Sequence, residues 1–184
     1  MSTLTVKELA APTGYDLKIA SGETLDLKSQ GTVTMPAGAI LQVVQGTSTT
    51  ELDTNSSSFV DSGLEATITP SSTSSKILAS VHAPGCGCPD SSNAGSFGVY
   101  VLASYIGGSE TRHIWLASQA GYTASTSADF ITVVGNHLYS PNTTNAVTYK
   151  LILKSDGSGT QRFLADDQAG ADPTGVIILQ EVAG

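Results

Sequence analysis

The sequence predicts an all-β chain: an antiparallel β-sandwich of jelly-roll type preceded by a short leader of β-strands. Three observations carry this. Apolar and polar residues alternate with a period of two in segment after segment, as in Leu64, Ala66 and Ile68 against Glu65, Thr67 and Thr69. Ser and Thr make up a quarter of the 184 residues and Gly adds 19, a mixture at home in strands and turns. No stretch sustains the 3.6-residue apolar period of a helix.

The leader occupies residues 1–36 and the sandwich residues 37–184. In the leader, Leu4 and Val6 alternate with Thr5 and Lys7, Leu17 and Ile19 with Asp16 and Lys18, and Leu25 and Leu27 with Asp26 and Lys28. Thr32-Val-Thr34 closes the set, and Gly14, Gly22 and Gly31 punctuate it. Each such strand has one apolar face and, in a single chain, nothing to set against it. Three copies around an axis would share a core, which makes Leu4, Val6, Leu17, Ile19, Leu25 and Leu27 the candidate trimer interface. The competing reading is that these strands extend the sandwich's own sheets.

In the sandwich, Ala39–Thr47 is the first expected strand, and Leu64–Thr69 follows up to the Pro70–Ser75 break. Lys76–His82 comes next and ends at a Gly/Pro loop. Ser96–Ile106 is apolar on both faces, as expected of a central or interface strand. Glu110–Ala117 and Asp129–Val134 precede Thr148–Lys154, where Tyr149, Leu151 and Leu153 oppose Thr148, Lys150 and Lys154. Asp156-Gly-Ser-Gly159 reads as a hairpin turn. Gly175–Val182 completes about eight strands, and its apolar character places it inside a sheet.

Cys86 and Cys88 sit in Pro84-Gly-Cys-Gly-Cys-Pro89. A Cys-x-Cys bridge closes a strained ring, and zinc thiolates are usually two to four residues apart with two further ligands. His82, His113 and His137 follow no ligand spacing. The favoured reading is a pair of thiols in a loop, with a local disulfide and a metal site as the alternatives. No cofactor and no metal are expected.

The formal net charge is −8, and the eight basic residues are scattered singly. Phosphate recognition needs clustered Lys and Arg, so nucleic acid is not an expected partner. No apolar run approaches the roughly 18 residues of a membrane span, and the amino terminus lacks the apolar core of a signal peptide. Synthesis in a cytoplasm is expected. At 13% the charged fraction is low, which suits a surface buried against other subunits.

Met35-Pro-Ala-Gly-Ala-Ile-Leu-Gln-Val-Val44, Phe59–Pro70 and Ser71-Ser-Thr-Ser-Ser-Lys-Ile-Leu78 are motifs of another kind. With the leader from Ala11 to Leu27 and the Ile178-Leu-Gln-Glu-Val-Ala183 ending, they resemble tail-fibre and virion structural proteins of tailed bacteriophages, of marine and cyanobacterial type. The resemblance covers most of the chain and rests on structural motifs. It implies a homotrimeric particle protein that joins other virion proteins. The leader here is the whole amino-terminal part, which leaves fibre, short spike, head fibre and decoration protein as readings.

Chemistry was sought along the same chain. There is no Gly-x-Ser-x-Gly nucleophile elbow, and Asp166-Asp167 with Asp172 reads as a solvated loop rather than a catalytic or calcium site. The expectation is a protein without enzymatic activity. For binding, Tyr105, His113, Trp115, Tyr122, His137 and Tyr139 gather in one segment flanked by Ser, Gly and Asn. Such aromatics suit a host cell-surface glycan or protein, giving contact area at little entropic cost. The weightier competing reading puts Trp115 and Tyr105 in the core or a subunit interface.

Overall fold

The computed structural model of the chain describes residues 35–88, 97–120, 129–157, 159–165 and 173–184, together with Thr13, Ser21 and Gly22. Packing divides the chain into two compact units, Met1–Thr34 and Met35–Gly184. The leader strands, with Leu4, Val6, Leu17, Ile19, Leu25 and Leu27, lie outside the described residues, as do Tyr122 and the Asp166, Asp167 and Asp172 group.

In the second unit the period-two pattern becomes strands in chain order. They are β1 (Ile40–Ser48), β2 (Leu52–Thr54), β3 (Val60–Ile68), β4 (Lys76–Cys88) and β5 (Phe97–Ile106). Then come β6 (Ser109–Ala120), β7 (Asp129–Tyr139), β8 (Val147–Asp156), β9 (Gln161–Phe163) and β10 (Gly175–Val182). All pairings are antiparallel. Lys76–His82 of β4 pairs with β10, and Ile77–His82 pair with β7 as well, so these two neighbours lie on opposite edges of β4. The front sheet therefore runs β1–β10–β4–β7, and β9, carrying β2, meets β4 at Gly87. The back sheet runs β3–β8–β5–β6. This order is that of an eight-stranded jelly roll, two Greek keys folded face to face, with β2 and β9 as a short added ribbon.

Inward positions of the two sheets meet in one core. The front sheet contributes Ile77, Ala79, Val81, Ile177 and Leu179, and the back sheet Leu64, Ile68, Leu102, Tyr149, Leu151 and Leu153. Burying each large side chain stabilises the fold by about 1.5–3 kcal/mol. On β5 the outward Val99, Val101 and Ala103 are buried as well, beneath Phe59, Phe97 and Tyr105, so the strand apolar on both faces is a central one.

Register gives the sandwich two unlike ends. At one end lie the short connections 69–75, 107–108 and 140–146, the start of β1 and the end of β10. The tightest is Gly107-Gly108, with φ of +57° and +86°, the positive values that a two-residue type I′ hairpin demands. At the other end lie the strand termini Ser48, Cys88, Phe97, Ala120, Asp129, Asp156 and Gly175. The turn end is fastened by Glu181, a fully buried carboxylate. It accepts hydrogen bonds from Ser71 N (2.7 Å), Ser71 Oγ (2.6 Å), Ser75 Oγ (2.6 Å) and Gln42 Nε2 (2.6 Å). Desolvation pushes its pKa upward, but these donors outweigh it and hold the carboxyl below its usual 4.5.

Several expectations are corrected. Cys86 and Cys88 do not lie in a loop: β4 bulges between Ala83 and Cys86, then continues, pairing Cys86 with Ile131 and Cys88 with Asp129. Both thiols are buried and unbridged, and burial drives the pKa of Cys86 up to about 12. The Asp156–Gly159 segment is not a hairpin, because β8 belongs to the back sheet and β9 to the front sheet. It carries the chain across the sandwich, with Ser155 Oγ donating to the Gly159 carbonyl at 2.6 Å. Asp129–Val134 is only the first half of β7, and the short β2 and β9 carry too few residues to show a period.

Candidate functional site

The sequence-selected aromatic and His residues fall on different surfaces. The β5–β6 register slips at His113, which lies between the Ala103↔Arg112 and Leu102↔Ile114 pairs. Its Nε2 lies 2.8 Å from the buried Ser104 Oγ. Its ring stacks with His137 (centroids 5.1 Å apart) and meets Tyr139 at 4.3 Å and Tyr149 at 5.8 Å. Burial, then the neighbouring His137, lowers the His113 pKa to about 4, so the ring is neutral at physiological pH. His113, His137 and Tyr139 thus form a half-buried seam between the edge strands β6 and β7. The same seam brings Leu116 of β6 onto Gly135 of β7.

Tyr105 and Trp115 belong instead to the outer face of the back sheet. Trp115 is 67% exposed, so it is not a core residue. Around it the face is tied by ion pairs and stacking. Lys150 reaches Asp61 and Glu65, both at 2.6 Å, and these two carboxylates hold its pKa above the ordinary lysine value. Tyr105 donates to Glu110 Oε2 at 2.6 Å, and Glu110 also pairs with Arg112 at 2.6 Å. The Arg112 guanidinium lies 4.3 Å above the Phe59 ring, which roofs the buried Val99, Val101, Ala103 and Ile152. An exposed indole beside a stacked guanidinium and a phenol offers CH–π and hydrogen-bonding contacts to a sugar or a peptide.

The outer face of the front sheet is of the opposite kind. Register aligns its outward residues in rows across β1, β10, β4 and β7. One row is Val43, Gln180, Leu78 and Leu138, and the next is Gln45, Ile178, Ser80 and Asn136. A third is Thr47, Val176, His82 and Val134. Half of these positions are apolar, and none carries a fixed charge. Val43 is 58% exposed, Val134 54%, Leu138 49% and Ile178 38%. Among the described residues, charges lie at the rims of this face, with Lys76 at the turn end and Arg162 paired with Asp53 and Glu51 on the β2–β9 ribbon.

Sequence reasoning did not single out this face, nor Phe59, Arg112 and Lys150 on the other. The signal for the front face was present in β10, where Val176-Ile-Ile-Leu179 is apolar at odd and even positions alike. A strand with one face in the core and one in water has no use for that.

No protein-family model matches the chain, and neither does any curated protein. Among solved structures it is similar to Eiger TNF from S. frugiperda, with a TM-score of 0.43 and 10% identity, covering 77% of this chain and 92% of that one. It is also similar to a chain of infectious bursal disease virus, Gx strain, with a TM-score of 0.39 and 14% identity. There 95% of this chain covers 46% of the viral one, so the chain spans less than half the length of that protein.

Proposed function

We propose that this chain is a non-enzymatic structural protein of a tailed-bacteriophage virion, a trimeric fibre or spike component whose sandwich contacts the host surface. The observation that carries the reading is the polarity of the sandwich. Met35, where the second unit begins, adjoins the end with the short turns, and the strand termini Cys88, Phe97, Ala120 and Asp129, which flank the longer segments 89–96 and 121–128, share the opposite end. A head joined at one end, with its longer inter-strand segments leaving from the other, is suited to attachment and contact. The sequence resemblance to phage fibre proteins points the same way. Three modest sites on one rigid head would bind by avidity rather than by tight individual contacts.

The non-enzymatic part of the proposal is supported by the one Ser–His contact described. Ser104 is buried and His113 is a weak base stacked among rings, which is packing rather than nucleophile activation. A second reading is a capsid decoration or connector protein, favoured by the uncharged front face, which a neighbouring capsid subunit would cover.

The test is staining with fluorescently labelled full-length protein. The fibre or spike reading expects susceptible cells to be stained and resistant cells not, and Trp115→Ala to weaken staining severalfold. Binding to emptied capsids with no staining of either cell type would overturn it in favour of the decoration reading.

A further inference from the structure

We propose that the outer face of the front sheet is the surface on which copies of this chain pack against one another. The inference rests on the self-associating part of the proposed function; contact of this face with the same face of a second copy is two-fold, so it pairs copies rather than building the trimer itself.

The two outer faces of the sandwich differ in how they are finished. The back face neutralises its acids locally through Lys150 and Arg112 and covers its apolar residues with Phe59. Among the described residues Trp115, already assigned to host contact, is the one large apolar side chain it leaves exposed. The front face leaves Val43, Val134, Leu138 and Ile178 open and carries no fixed charge between Lys76 and Arg162.

The occupant follows from charge and from hydrogen bonding. Two copies, each with net charge −8, repel wherever their acidic surfaces meet, so identical chains associate best through a region without charge. Nothing on this face suits a phosphate-rich or strongly charged partner. Its polar residues, Gln45, Gln180 and Asn136 among them, are amides that both donate and accept, so one copy of the face complements another.

Size is consistent with association. Four strands about 4.8 Å apart, over about seven residues of about 3.3 Å each, give a flat area of about 440 Å². Two such faces bring about 900 Å² together before side-chain relief is counted, close to the ~1,000 Å² that a specific interface needs.

The experiment is light scattering behind a sizing column, on the full-length protein and on Ile178→Glu. Circular dichroism and thermal melting check that the variant is folded, and Thr67→Glu on the back face is the control. The parent and Thr67→Glu should run at an even multiple of 18.8 kDa, and Ile178→Glu at half the parent's mass. A monomeric parent, or an Ile178→Glu protein with the parent's mass, would overturn the inference; the latter would place self-association elsewhere, such as residues 1–34.

Alkylation gives a readout that does not need a disruptive variant, because Cys86 and Cys88 are buried. Asn136→Cys should react with a bulky maleimide severalfold more slowly than Thr67→Cys in the assembled protein. Equal rates would overturn the inference, and so would protection of Asn136→Cys in a protein that runs as a monomer, since the chain would then be covering its own face. Cell staining is independent of these measurements. An oligomer held by this face that stains no cells removes the host-contact reading and leaves the inference intact.

Discussion

Two residues make the protein sensitive to acid, for opposite electrostatic reasons. His113 is kept neutral by burial and by His137, with a pKa of about 4 against an ordinary 6.5. As pH falls below 6.5 the unfolded chain binds a proton there before the folded one does, so stability declines from 6.5 and levels off near 4. One pKa unit is worth about 1.4 kcal/mol, and partial exposure of the ring trims the His113 contribution to about 1–2 kcal/mol. Glu181 has a lowered pKa, so its contribution is present above 4.5 and is lost as pH drops through its folded-state value. A pH series of melting curves should therefore show a first loss between pH 6.5 and 4 and a second below it. His113→Gln should flatten the first. Glu181→Gln should flatten the second and lower stability at neutral pH by about 1–3 kcal/mol, since an amide nitrogen there would face the Ser and Gln donors.

At the scale of elements, the alternation of apolar and polar residues was enough to place most of β3 and β8, whose inward and outward positions differ in chemistry, and β10 was placed by its apolar run. It stopped β4 at His82 because Pro84 and Gly85 look like a breaker, whereas a bulge absorbs them and pairing with β7 resumes at Cys86. Proline and glycine punctuate local structure, but a long partner strand can carry a ladder past them. Of the candidate contact residues, spacing gathered Tyr105, His113, Trp115, His137 and Tyr139 into one stretch, and the fold separated them. The slip at His113 turns it toward the core, while Trp115 is left outward, and no periodicity announces a bulge. The close approach of β1 to β3 was equally invisible. A Cβ at Gly46 would overlap the backbone carbonyl of Glu65, which cannot step aside as a side-chain tip would. Gly46→Ala should lower stability by about 1–3 kcal/mol, measured by urea unfolding with an unchanged slope. An unaltered midpoint would mean that β1 and β3 can part without cost.

At the scale of the whole molecule, the unit from Met35 to Gly184 holds a continuous two-sheet core of its own. The apolar residues of the leader were read as needing partner chains, and those that face between the two sheets of the sandwich are satisfied internally. Residues 35–184 expressed alone should therefore give a cooperative thermal transition and a β-type circular dichroism spectrum. A non-cooperative melt would mean that residues 1–34 complete the fold rather than extend it.

The division of the sandwich into a turn end and a loop end also bears on how such a chain can change over generations. The strand ends that flank segments 89–96 and 121–128 are paired with one another, Cys88 with Asp129 and Gly98 with Ala120. Lengthening a connection held in that way costs only about 0.6 kcal/mol per doubling of its length. The opposite end has no such freedom, because Gly107-Gly108 and the Glu181 fastening fix their segments residue by residue. Insertions should therefore cost little at one pole and much at the other. The scaffold can take up a longer segment without being revised.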